Sequence, residues 1–190
     1  ELKRRLACST VAQVGYVFLG MGLMHPQGLT GTFVHMASHA VIKSALFLAA
    51  GAIIHGSGKT HVSQLAGIGK RMPITMGVFT IASLSLVGIP PLSGFVGKWY
   101  LLQGSLAMDR YLASAVIIFG SILCAGYLFP IIRLAYFEQG DLDSESKDPG
   151  LYQRIAMVIL AVGIIVMGVI PGPLLELAGR AARDFLLLGY

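Results

Sequence analysis

Apolar residues fall in long runs, each closed by a short polar or Gly/Pro-rich break. A membrane helix needs about 20 mostly apolar residues, and several runs approach that length. The first spans about Leu6 to Met24, behind Lys3-Arg4-Arg5, and ends at the turn His25-Pro26-Gln27-Gly28. The second spans about Phe33 to Ile54 and leads into a polar connector, His55 to Met72. Pro73 suits the first turn of a third helix, where its missing N–H does no harm; that helix runs to about Ile89. A short fourth run covers Phe95 to Met108, a fifth Tyr111 to Phe137 and a sixth Tyr152 to Ile170. Pro171-Gly172-Pro173 closes the sixth. The tail, Leu174 to Tyr190, sets Arg180, Arg183 and Asp184 among leucines, the pattern of a helix lying along the membrane interface. The pattern predicts an all-α, polytopic membrane helix bundle of about six segments. Residues 1–137 form one unit; residues 138–190 hold an acidic linker (Glu138, Asp141, Asp143, Glu145, Asp148), the last membrane helix and the tail.

The stretch Gly88-Ile89-Pro90-Pro91-Leu92-Ser93-Gly94 cannot stay helical, because each proline removes a donor and clashes with the preceding turn. Two readings stay open. One is a broken membrane helix, tolerated at depth only when buried in protein or facing a water-filled cavity; such breaks line ion sites in transporters. Under it, Ser93, Gly94 and Gly97 are expected to be reachable from water. The other is a tight surface hairpin between two ordinary spans. Counted as a full crossing, the break puts the N-terminus, the connector, Asp109-Arg110 and the tail on one side, opposite the acidic linker. The basic side is then cytoplasmic by the positive-inside rule.

Composition sharpens this picture. Of 190 residues 55% are hydrophobic and 12% charged, against about 25% charged in soluble domains. The net charge of +5 comes with no basic stripe interleaved with aromatics, so nucleic acid is not a partner. Cys8 and Cys124 lie far apart in apolar runs and form no metal, iron–sulfur or haem motif; they read as packing residues, and no cofactor is expected.

The candidate chemistry lies in His35-Met36-Ala37-Ser38-His39-Ala40-Val41-Ile42-Lys43. Offsets of four and eight residues rotate by about 40° and 80°, so His35, His39 and Lys43 share one helix face, each about 6 Å from the next. Ionisable groups inside a membrane segment are expensive and mark function. A zinc pair is geometrically open, but Met36 replaces the glutamate of HExxH and no third ligand is evident.

Four strings resemble one family, in order over residues 2–98. They are Leu2-Lys3-Arg4-Arg5-Leu6-Ala7-Cys8-Ser9 through Gly15-Tyr16, then the His35, His39, Lys43 pattern, then Lys70-Arg71-Met72-Pro73-Ile74-Thr75, and Leu86-Val87-Gly88-Ile89-Pro90-Pro91-Leu92-Ser93-Gly94-Phe95-Val96-Gly97-Lys98. The family is the antiporter-like membrane subunits of respiratory complex I, of multi-subunit cation/proton antiporters and of membrane-bound hydrogenases. Gly97-Lys98-Trp99-Tyr100 and Gly126-Tyr127-Leu128-Phe129-Pro130 most resemble the antiporters' D-type subunit. The resemblance implies about fourteen membrane helices in two inverted repeats, of which this chain is the second repeat plus the last helix, with the first half missing. It implies that Lys43 and Lys98 carry protons with His35 and His39 between them, glutamate replacing Lys98 in some relatives. Cys8 stands where the family has tyrosine. The family's termini face the non-cytoplasmic side, opposite to the charge count above.

The expected function is proton translocation by a prokaryotic inner-membrane subunit. Its partners are other membrane subunits, the bilayer, and protons, with sodium or potassium as further ions. As a translocase component it holds no redox centre. The alternatives are a structural subunit that only docks neighbours, or an unrelated secondary transporter with its substrate at the Pro-Pro break.

Overall fold

The structure is a computed structural model that describes residues 1–139 and 146–188; Asp141, Asp143 and Glu145 of the acidic linker lie outside the described residues. The chain forms α1 (Leu2–Gly22), α2 (Pro26–Ser57), α3 (Ile68–Arg71), α4 (Pro73–Val87), α5 (Ser93–Ala107), α6 (Tyr111–Phe137), α7 (Leu151–Val169) and α8 (Gly172–Leu188), with one 3-10 turn at Val62–Gln64. No strand occurs among the described residues. Helices α2, α6 and α7 are each long and apolar enough to cross a membrane. Large apolar side chains such as Val11, Phe18, Leu112, Phe119 and Ile159 stand exposed on α1, α6 and α7, as lipid-facing positions do.

Helix α2 is the spine and starts earlier than its apolar run. His25 caps it by accepting from the Gln27 N–H, and Pro26 takes the first position. Thr30 and Thr32 fold their hydroxyls back onto the carbonyls of Pro26 and Gly28, which makes these polar residues compatible with a packed helix. Its 32 residues span about 48 Å.

The break is resolved by its register on α2. Met72 packs at Gly56, Ser38 donates to the Ser93 carbonyl, Gly97 lies against the His35 backbone, Leu101 against Gly31 and Gly104 against Gly28. Position numbers fall on α2 as they rise on the partner, all the way from Met72 to Gly104. Helices α4 and α5 therefore run antiparallel to α2 as one broken crossing, and the hairpin reading is excluded. The fourth run is short because it is the second half of the third.

This changes the grouping of the connectors. Leu2 N–H bonds the Thr60 carbonyl, and Asp148 accepts from the Ile74 and Thr75 N–H groups and the Thr75 hydroxyl. The N-terminus, the connector and the linker end at Asp148 thus share one side. Gly104 against Gly28 puts the His25 turn and Asp109-Arg110 on the other. Helix α7 starts on the first side and ends with Gly168 against the backbone of Pro91 to Ser93; α8 continues along the first half of α2, with Gly179 near Thr30 and Phe185 edge-on to Phe33. The tail is therefore separated from the N-terminus, contrary to the count that treated the break as a full crossing. The connector is also less simple than its composition: Leu65, Ile68 and Met72 are fully buried in the main core.

Candidate functional site

Proline chemistry builds the first half of the site. In an uninterrupted helix the carbonyls of Leu86 and Val87 would accept from the N–H groups four residues on. Those residues are Pro90 and Pro91, which have none. Lys98 Nζ donates to both open carbonyls, at 2.8 and 3.0 Å, and to Ser121 Oγ at 3.1 Å. The ring of Tyr16 covers the ammonium at 5.1 Å. Gly88, at φ +98°, turns the chain out of α4, and a Cβ there would press on the Lys98 stem at 3.1 Å. Ser85 Oγ accepts from the Gly94 N–H and fixes the start of α5.

The sequence expectation that Ser93, Gly94 and Gly97 face water is not met. All three are buried, and a Cβ at Gly94 or Gly97 would collide with Ser85 or with His35 backbone. Close packing of α5 on α2 and α4 closes this surface, and the freed carbonyls go to Lys98.

The second half lies on α2. Lys43 Nζ donates to the Leu6 carbonyl at 2.8 Å and to Ser9 Oγ, and faces Phe47 at 5.9 Å. Lys43 and Lys98 are 8% and 5% exposed. Neither has a carboxylate partner among the described residues, where the one ion pair is Arg133 with Glu138 at the surface. Between the lysines, His35 and His39 stack with ring centres 6.0 Å apart and planes 9° apart. The rings of Tyr16 and His35 meet at right angles with centres 5.6 Å apart, so Tyr16 touches both His35 and Lys98. All four residues predicted from sequence thus gather in one line, Lys98, His35, His39, Lys43, with Tyr16 at its first joint; His39 is half-buried and the other three are buried.

Helix α1 supplies residues that the sequence reading did not single out. Its buried face is Leu2, Leu6, Ser9, Gln13, Tyr16 and Gly20. The signal was available: three polar residues, at 9, 13 and 16, recur at helical spacing inside an apolar run. Cys8 is exposed and lines an open groove of about 420 Å³ with Arg4, Arg5, Ser9 and Tyr127. No group of three His, Cys, Asp or Glu that could hold a metal occurs among the described residues.

The chain is thus a multi-pass membrane bundle with one lysine, Lys98, buried at the helix break and another, Lys43, buried on the spine α2. Residues 1–124 match the family described as NADH:quinone oxidoreductase/Mrp antiporter, TM. The chain belongs to this family. It is 38% identical over 181 residues to NADH-quinone oxidoreductase subunit N of Desulforudis audaxviator, covering 88% of this chain and 36% of the relative. It is 28% identical to an antiporter subunit of the mnhD2 type from Staphylococcus epidermidis, covering 89% and 34%. In structure it is similar to a chain of the Mrp complex from Dietzia sp., with TM-score 0.88, 28% identity and coverage of 94% and 42%. A chain of respiratory complex I from Thermus thermophilus with bound NADH gives 0.85, 27%, 96% and 38%. The chain spans under two fifths of the length of these curated relatives. The D-type resemblance is present, but identity to the subunit N relative is higher than to the D-type one.

Proposed function

We propose that this chain is part of a proton-translocating membrane subunit, of a respiratory complex or of a multi-subunit cation/proton antiporter, and that Lys43, Lys98, His39 and His35 carry the proton. The observation behind this is the pair of buried lysines with no carboxylate partner among the described residues, joined by two histidines and a tyrosine. An ammonium at membrane depth is costly, and here its partners among the described residues are carbonyls, hydroxyls and ring faces. An amine in such a site can take up a proton and pass it on without leaving a fixed counter-charge behind. Imidazole can accept at one ring nitrogen while donating at the other, and serves as the relay. Repulsion between the two ammonium groups across a low-dielectric interior makes loading one favour emptying the other, which gives transport a direction. A purely docking subunit would leave these lysines without a reason.

The partners follow from the family: other membrane subunits, the bilayer and protons, with sodium or potassium exchange on the antiporter side of the reading. Electron transfer belongs to partner subunits. Relatives from Desulforudis, Staphylococcus and Methanosarcina support a prokaryotic inner membrane. The side carrying Lys3, Arg4, Arg5, Lys59, Lys70 and Arg71 is cytoplasmic by the positive-inside rule. With the break counted as one crossing, the tail then reaches the opposite side, and charge and family topology agree.

The test is proton uptake by the whole complex in inverted vesicles, followed with a pH dye. Lys43→Ala is expected to abolish uptake with assembly intact, and Lys43→Arg to be nearly as poor, because guanidinium does not release its proton. Native uptake by either variant would overturn the relay.

A further inference from the structure

Three contacts fix how α1 lies on α2. Ser9 and the Leu6 carbonyl meet Lys43, Tyr16 meets His35, and Gly20 meets Thr32. The helices are antiparallel, and these pairs place Gln13 between the two outer contacts, across from His39 and His35. The backbone of Gln13 lies beside the His35 ring. Polar side chains on α1 and α2 therefore face one another rung by rung: Ser9 with Lys43, Gln13 with the histidines, Tyr16 with His35.

The outer rungs are closed by direct side-chain contacts; at the middle one the Gln13 backbone approaches the His35 ring, but the facing side-chain atoms do not bond one another. Gln13 is 1% exposed and its Oε1 has no hydrogen-bond partner among the described residues. Both ring nitrogens of His35, itself 2% exposed, and Nε2 of His39 are likewise without a partner there. Buried polar atoms in native proteins are almost always satisfied by protein or by ordered water. Four orphans in one place, on facing helices, include an amide oxygen that only accepts and imidazole nitrogens that can do either. A water molecule satisfies such a set, since a buried water makes about three hydrogen bonds and needs two to four polar partners.

We propose that Gln13 is a positioning residue that holds a bound water against His35 and His39, and that this water joins the two histidines into one hydrogen-bonded line. Stacked imidazoles with centres 6.0 Å apart do not bond each other directly, because ring faces carry no donors. The water supplies the in-plane link, and the Gln13 oxygen keeps it in place. Its consequence for transport rests on the proton-carrying reading above; the water site itself does not.

The experiment compares native complex with Gln13→Met, which keeps side-chain length and loses the acceptor. Electron cryo-microscopy of the whole complex, at a resolution that shows ordered water, is expected to find density between Gln13 and the histidines in the native protein and none in the variant. Proton uptake by Gln13→Met is expected to fall about tenfold, and Gln13→His, which restores a hydrogen-bonding group, to recover part of the rate. A dry native site, or native uptake by Gln13→Met, overturns the proposal. Lys43→Ala run in parallel keeps the two readings apart. Native uptake in that variant removes the proton-carrying role, whereas the water density answers for Gln13 alone.

Discussion

At the scale of single residues, the chemistry depends on which groups take up the bonds that others leave open. Pro90 and Pro91 leave two carbonyls free, and Lys98 uses both. Tyr16 couples Lys98 to His35 through its ring, while its hydroxyl makes a long bond of 3.4 Å to the Ile117 carbonyl and lies by Ser121. The direct contacts with Lys98 and His35 are thus made by the ring. Tyr16→Phe should keep most of the proton flux and Tyr16→Leu should lose about tenfold or more, measured as dye-reported uptake in vesicles; the reverse order would assign the role to the hydroxyl. His35, His39 and Lys43 were legible from spacing alone, since charge in an apolar run is rare enough to stand out. Lys98 needed the family strings as well. Ser9, Gln13 and Tyr16 were not recognised, because each is common in membrane helices and only their shared face, seen with α2 in place, gives them meaning.

At the scale of elements, the broken helix is what the fold is organised around. Periodicity and proline placed the break, but a run of residues does not say whether the chain turns back or continues. Only the register along α2, from Met72 at Gly56 to Gly104 at Gly28, decides it. Helix α6 was read to the residue, because polar groups bound its apolar run at both ends. The start of α2 was missed by a turn or two, because Thr30 and Thr32 hide their hydroxyls in the helix backbone. If the break exists to free carbonyls for Lys98, the double substitution Pro90→Ala with Pro91→Ala should return N–H donors to Leu86 and Val87. The new amides at 90 and 91 should then resist hydrogen exchange, and proton uptake should fall while the complex still assembles. Fast exchange at both positions, with native uptake, would mean that the break is kept by packing rather than by the prolines.

At the scale of the whole molecule, one miscounted crossing put every segment after the break on the wrong side relative to the N-terminus. The corrected count puts Ser63 and Lys147 on one side and Gln27 on the other, and all three are exposed. Single cysteines at these positions, in a background lacking Cys8 and Cys124, should label with a membrane-impermeant thiol reagent in that grouping. Labelling of positions 63 and 147 from opposite sides would restore six full crossings and undo the broken-helix assignment. The apolar runs made the membrane bundle legible; the sidedness was not, because it depends on whether two half-length helices add up to one span.

The central claim is that the buried line works because its members exchange protons, not because they pack. Lys98 tests this most directly, as two of its three hydrogen bonds go to backbone carbonyls that stay in place when its side chain is changed. Proton uptake by the assembled complex should be compared among native protein, Lys98→Met and Lys98→Glu. Methionine fills the volume and cannot titrate, so uptake should be lost; a carboxyl group can hold and release a proton, so Lys98→Glu should keep a measurable part of it. Uptake at the native rate with methionine at position 98 would contradict the account.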